Sequence, residues 1–82
     1  VDQEQTLAEL LDQRRWPLDA LALVARIDKS TASRIRAGKA RPRATTVIRL
    51  AQGLGISVTR MRRILDATWE AAHEPTPQEV LR

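Results

Sequence analysis

Apolar residues recur at the helical period along most of this chain. Leu7, Leu10 and Leu11 stand at i, i+3 and i+4, and Val47, Leu50, Ala51 and Leu54 at i, i+3, i+4 and i+7, so each set lines one face of a helix. No segment alternates at the strand period, and no hairpin signal, internal repeat or low-complexity stretch competes with the helical reading.

The residues between these periodic segments divide the chain into five helices. Thr6-Leu7-Ala8-Glu9 is a capping box, in which the Thr hydroxyl and the Glu carboxylate each satisfy an otherwise orphaned amide. Pro17 ends the first helix near Arg15 or Trp16 and is tolerated in the first turn of the next, with Trp16 expected at the corner between them. The second helix, Leu18 to about Ala25, is apolar apart from Asp19, and a helix apolar on most sides is expected to lie buried between others. Asp28 suits the N-cap of a third helix from Lys29 through Ala37, and Gly38 is placed to end it in the left-handed conformation.

A basic loop stiffened by Pro42 then leads to the helix that carries Val47 to Leu54, which Gly55 closes. Ser57 can cap a fifth helix running toward His73, with Met61, Ile64, Leu65 and Trp69 on its apolar side. Met61, Leu65 and Trp69 fit either a core or a dimer seam. Pro75 and Pro77 break the pattern, leaving 74–82 as a loose tail and 1–5 as a flexible amino-terminal segment. The expected architecture is therefore an all-α, five-helix bundle in a single domain over 6–73.

Composition narrows this further. With 82 residues there is room for one modest core, and with no cysteine that core must rest on packing alone, without a disulfide frame or a thiolate metal site. Absence of cysteine points weakly to the cytoplasm. The longest apolar run, Ala20 to Ala25, is far short of the roughly 20 residues that cross a bilayer, and no secretory signal opens the sequence. The chain is expected to be soluble and cytoplasmic, with no membrane partner. It opens on Val1 and not Met, as expected of a trimmed chain or of the amino-terminal part of a longer one.

Charge changes the picture most. The net charge is +4, but from Lys29 to Arg63 there are ten Lys or Arg and no Asp or Glu. Acids are confined to the flanks, Asp2 to Asp28 on one side and Asp66 to Glu79 on the other. A long single-sign segment attracts polyanions, nucleic acids and anionic membranes alike. Where it begins, two short helices separated by Arg26-Ile27-Asp28 have the organisation of a helix-turn-helix, whose second helix enters the DNA major groove while the first braces it. Ala22 is small where the two backbones approach, Ile27 plugs the turn, and Ala32 and Ile35 seat the second helix on the first. That leaves Ser30, Ser33, Arg34 and Ala37 pointing outward, with Lys29 at the edge.

The segment from Leu7 to Met61 resembles the phage-repressor and Cro type of helix-turn-helix, the XRE family. The pattern runs without a gap through Leu7, Leu10, Leu21, Ala22, Ile27, Ser30, Thr31, Ser33, Arg34, Ile35, Gly38, Lys39, Pro42, Thr46, Leu50, Ala51, Leu54, Gly55, Ile56 and Ser57. Three positions depart from it. Arg26 stands where the family favours a turn glycine, and since a left-handed arginine costs on the order of 1 kcal/mol, a somewhat different turn is expected. Leu18 replaces a glutamine that holds a phosphate and orients a reading side chain. Ala37 replaces an asparagine before the closing glycine.

The resemblance implies that a brace helix at about 18–25 supports a recognition helix at about 29–37. It places Lys29, Ser30, Thr31, Ser33 and Arg34 at the groove, Arg34 being suited to two hydrogen bonds with guanine O6 and N7. Lys39, Arg41 and Arg43, with the amides opening the fourth helix near Thr45 and Thr46, suit phosphates. Arg36, Arg49, Arg60, Arg62 and Arg63 belong to the general positive field, and His73 is an ordinary surface residue.

The implied function is sequence-specific binding of double-stranded DNA by a transcriptional repressor or regulator, phage or bacterial and nucleoid-associated when bound. One such module buries only about 600 to 1,000 Å² on DNA, so a homodimer through the helix over 57–73, or through a missing carboxy-terminal region, is expected. The alternative is a protein-interaction module, antitoxin-like or a recombination accessory factor, using that same helix. An enzyme is not expected: the sequence shows no paired carboxylates, no nucleophile with a base, no phosphate-binding glycine loop and no metal-ligand cluster. Neither a cofactor nor a metal is implied.

Overall fold

The computed structural model describes residues 5–73. The expected break at Pro75 and Pro77, the tail 74–82 and all of the segment 1–5 but Gln5 lie outside the described residues. Five α-helices and no strand occur among those described: α1 (Leu7–Arg14), α2 (Leu18–Ala25), α3 (Lys29–Ala37), α4 (Ala44–Leu54) and α5 (Val58–Ala72). None of them is long and apolar enough to cross a membrane.

Local chemistry sets the helix ends where the sequence places them. Thr6 and Glu9 form the capping box, Asp28 and Ser57 cap α3 and α5 by accepting from the amides of Thr31 and Arg60, and Gly38 and Gly55 end α3 and α4 at φ of 78° and 69°. Pro17 is the N-cap of α2 and not its first helical residue. Two non-glycine residues also take the left-handed region, Arg15 at φ 55° after α1 and Arg26 at φ 57° after α2. The expectation of a different turn at Arg26 is thus corrected. Its amide reaches Ala22 and Leu23 carbonyls, and the Ile27 amide donates to Ala22 at 3.0 Å, so the hydrogen bonds of a glycine-type helix stop offset the strain.

The core runs through all five helices. Leu7, Leu11, Leu21, Leu50, Leu54, Met61 and Ile64 are fully buried, each contributing about 1.5 to 3 kcal/mol of transfer free energy before entropy is counted. α2 packs on α3 and α4, α4 on α5, α1 on α3 and α5, and α3 on α5. Close approach is secured by small residues. At Gly53 of α4 a Cβ would collide with Val24 of α2, and at Gly38 a Cβ would lie 2.6 Å from the Thr68 carbonyl oxygen and 2.7 Å from Ala72 Cβ.

Burial decides one open alternative and corrects two expectations. Met61 and Leu65 are inside the core, so of the two alternatives for these residues the core is the one realised, and they are not available as a dimer seam. Thr68, not Trp69, completes the buried stripe of α5: it is 4% exposed, and its Oγ1 accepts from the Leu7 amide and donates to the Ile64 carbonyl, each at 2.8 Å. α2 is buried only on the side of Leu21, Ala22 and Ala25, while Leu23 is 80% exposed. At 100° per residue Leu23 lies nearly opposite that side, so an apolar sequence did not here produce an all-round buried helix.

Candidate nucleic-acid interface

The geometry of α2, the turn and α3 follows from which side chains the core takes. Ala32 and Ile35 are buried and Ile27 is partly buried against the core, which holds α3 by one face and the turn by its middle. Of the candidate reading residues, Ser30 and Arg34 are exposed on the opposite face, Lys29 is exposed at its edge, and Ser33 and Thr31 are half-buried.

These residues are not equivalent. The Asp28 carboxylate accepts from the Thr31 amide at 3.2 Å and, in a short contact, from the Thr31 hydroxyl. Those hydrogen bonds, the one from the hydroxyl foremost, hold the Asp28 carboxyl below its ordinary range, with Arg34 adding a weaker push in the same direction. The Thr31 hydroxyl in turn accepts from Arg34 Nη2 at 3.4 Å. Thr31 therefore sits between the helix cap and Arg34, occupied at its hydroxyl by both. Lys29 Nζ lies 3.2 Å from Asp19 Oδ1 of α2, an exposed pair across the helix-turn-helix. Sequence reasoning did not find Asp19, because ten residues of separation carry no pairing signal; its position one residue into the brace helix was the only clue.

Beyond Gly38, the Lys39 amide donates to the Arg34 carbonyl at 2.8 Å, so the basic loop starts from the fixed end of α3. Lys39 and Arg43 are exposed. Arg41 is exposed as well but lies along α5: it pairs with Asp66 in a short contact and its guanidinium carbon lies 5.3 Å from the Trp69 ring centroid. Trp69 is stacked on His73 at 3.9 Å, and the His73 Nδ1 lies 2.9 Å from the Trp69 carbonyl oxygen. Asp66 and Trp69 thus belong to the surroundings of the loop, which their distance in sequence concealed.

α4 and α2 differ from the other three helices at their amino ends. Their N-caps, Arg43 and Pro17, provide no side-chain acceptor, so the first amides of both helices carry the positive end of a helix dipole without a capping oxygen. Thr45 is exposed at the start of α4, but Thr46 is only 9% exposed. The Thr46 side chain faces the core, which leaves its backbone amide as the group able to meet a phosphate.

A helix-turn-helix family model matches residues 7–61, more than half of the chain and the same stretch that carries the motif, from the first buried leucine of α1 to Met61 of α5. Comparisons with curated proteins and with solved structures returned no match. Five helices, a left-handed turn after α2, a glycine stop after α3 and a family match that runs from α1 into the first turn of α5 lead to one conclusion: the chain belongs to the helix-turn-helix family of phage-repressor and Cro type, a family that binds double-stranded DNA.

Proposed function

We propose that this domain binds duplex DNA sequence-specifically, with α3 in the major groove, and regulates transcription, as a repressor in the first instance, by occupying its site without chemistry of its own. The observation that carries this reading is the outward face of α3. Arg34 is exposed on it and braced by Thr31, Lys29 and Ser30 stand exposed beside it, and no acid occurs from Lys29 to Arg63. Arg34 then donates to guanine, Lys29 reaches a base or phosphate from its pairing with Asp19, and Ser30 and Ser33 contribute contacts of little selectivity. Lys39, Arg43 and the open amino ends of α2 and α4 fix the register on phosphates.

One module of this size is small for tight operator binding, so two copies on half-sites about 34 to 36 Å apart are part of the proposal. With Met61 and Leu65 committed to the core, a seam on α5 would have to use its exposed residues.

Selection from a random duplex library at about 150 mM salt, followed by titration of the enriched sequence and a scrambled one, tests the reading. A shared motif bound at least about 10³-fold more tightly than scrambled DNA is expected. Arg34→Ala should relax selectivity at one base position, and Arg43→Ala should weaken every duplex about equally. Equal losses on both duplexes for Arg34→Ala would remove Arg34 from the reading role. No enrichment would favour the protein-interaction module.

A further inference from the structure

The loop between α3 and α4 carries three cations, and the structure uses them in two ways. Lys39 and Arg43 are exposed and make no ion pair among the described residues. Arg41 instead faces α5, paired with Asp66 and lying over Trp69.

Packing beneath the loop does not explain its position. A cavity of about 270 Å³ opens under it, lined by Pro42, Val47, Arg62 and Leu65 as well as by Arg41 and Asp66. Ala40 packs against the core just before Arg41, and Val47 enters the core from α4. Between those two anchors, the bond to Asp66 and the contact with the Trp69 ring tie the loop to the body of the domain.

We infer that Arg41 is a positioning residue for DNA binding: through Asp66 and Trp69 it straps the 39–43 loop to α5 and thereby sets where Lys39, Arg43 and the first amides of α4 meet the phosphate backbone. This rests on the reading that α3 and that loop form the DNA face. The strap gives an acid a supporting part in binding a polyanion, the reverse of what the field of an isolated carboxylate would do. It also joins the far end of α5 to the DNA face, because the ring that Arg41 lies on is the ring that His73 stacks against.

The test is a double-mutant cycle on the full 82-residue chain. Affinity for a duplex is measured over a range of salt for the parent, Arg41→Ala, Asp66→Asn and the double variant, with Arg34→Ala and Arg43→Ala alongside, and circular dichroism checks that each variant is folded. Both Arg41 and Asp66 are half-exposed, so neither substitution opens the core. A strap predicts that each single variant binds roughly three- to ten-fold more weakly, the range that one exposed ion pair and one cation–π contact allow, and that the double variant is no worse than either single. The salt slope should stay unchanged in all three, since the loop can re-form on DNA with the same phosphate contacts at a cost in ordering.

Asp66→Asn binding as well as the parent, or more tightly, overturns the inference. So does a slope reduced by about one for Arg41→Ala, the mark of a lost phosphate contact. If Arg34→Ala and Arg43→Ala also leave binding unchanged, it is the DNA-face reading that fails. If they weaken binding while Asp66→Asn does not, only the strap is lost.

Discussion

Thr68 joins α5 to α1 by a buried hydrogen bond. It is buried, its hydroxyl accepts from the amide of Leu7 at 2.8 Å, and Leu7 is itself inaccessible to solvent at the start of α1. The other acceptors near that helix end are taken. Thr6 Oγ1 serves the Glu9 amide at 3.3 Å, and the Thr6 carbonyl serves the Leu10 amide at 3.0 Å. Thr68→Val keeps the shape and removes the acceptor, leaving a buried N–H without a partner. The Ile64 carbonyl, which also receives the Thr68 hydroxyl, keeps its ordinary helical bond and costs little.

An orphaned buried donor costs about 1 to 3 kcal/mol, and the extra methyl group offsets up to about 0.8 kcal/mol of it. The net expectation is a destabilisation of about 1 to 2 kcal/mol, or roughly 4 to 16 °C in Tm for a chain of this length. Urea unfolding followed by circular dichroism gives the free energy, and amide hydrogen exchange at Leu7 gives the mechanism. Protection of that amide should fall in Thr68→Val and persist in Thr68→Ser, which retains the hydroxyl. If the hydroxyl contributed nothing, Thr68→Val would be neutral or stabilising through added apolar volume; a free energy at or above the parent's would refute the reasoning.

Gly38→Ala should cost roughly 2 to 4 kcal/mol, combining left-handed strain with overpacking against the Thr68 carbonyl and Ala72, and a loss under about 1 kcal/mol in urea titration would contradict the close approach. Arg26→Gly should raise stability by roughly 0.5 to 1 kcal/mol, because relief of left-handed strain exceeds the added freedom of the unfolded chain; a lower Tm would show that the arginine side chain supports the turn. The carboxyls of Glu9 and Asp28 are both held below their ordinary range, mainly by hydrogen bonds from Thr6 and Thr31 respectively. Their contribution is therefore present above the unfolded values near pH 4 and is lost as the pH falls through the lower folded values. The Tm of the parent should drop more steeply below about pH 4 than that of the Glu9→Gln/Asp28→Asn double variant, and parallel curves would remove these caps from the acid response.

Much of this protein is determined by local chemistry, and that part is legible from the sequence. A capping box, an Asp or Ser N-cap and a glycine stop act within four or five residues, so α1, α3 and α5 begin where Thr6, Asp28 and Ser57 place them, and α3 and α4 end where Gly38 and Gly55 place them. The acid-free stretch from Lys29 to Arg63 and the spacing of Ala22, Ile27, Ala32 and Ile35 likewise suffice for the motif and for the family that the match over 7–61 shows.

What only the tertiary structure decided lies in contacts between residues far apart in the chain. An exposed cation looks the same in sequence whether it is free, like Lys39 and Arg43, or held by Asp66 and Trp69, like Arg41. A threonine reads as a middling helix residue until Thr68 is found to satisfy an amide 61 residues away. Met61 and Leu65 could serve a core or a seam equally well until α4 is packed against them. Even the turn at Arg26 was settled by its neighbours, since the hydrogen bonds to Ala22 and the insertion of Ile27 hold an arginine in a conformation that its own backbone disfavours.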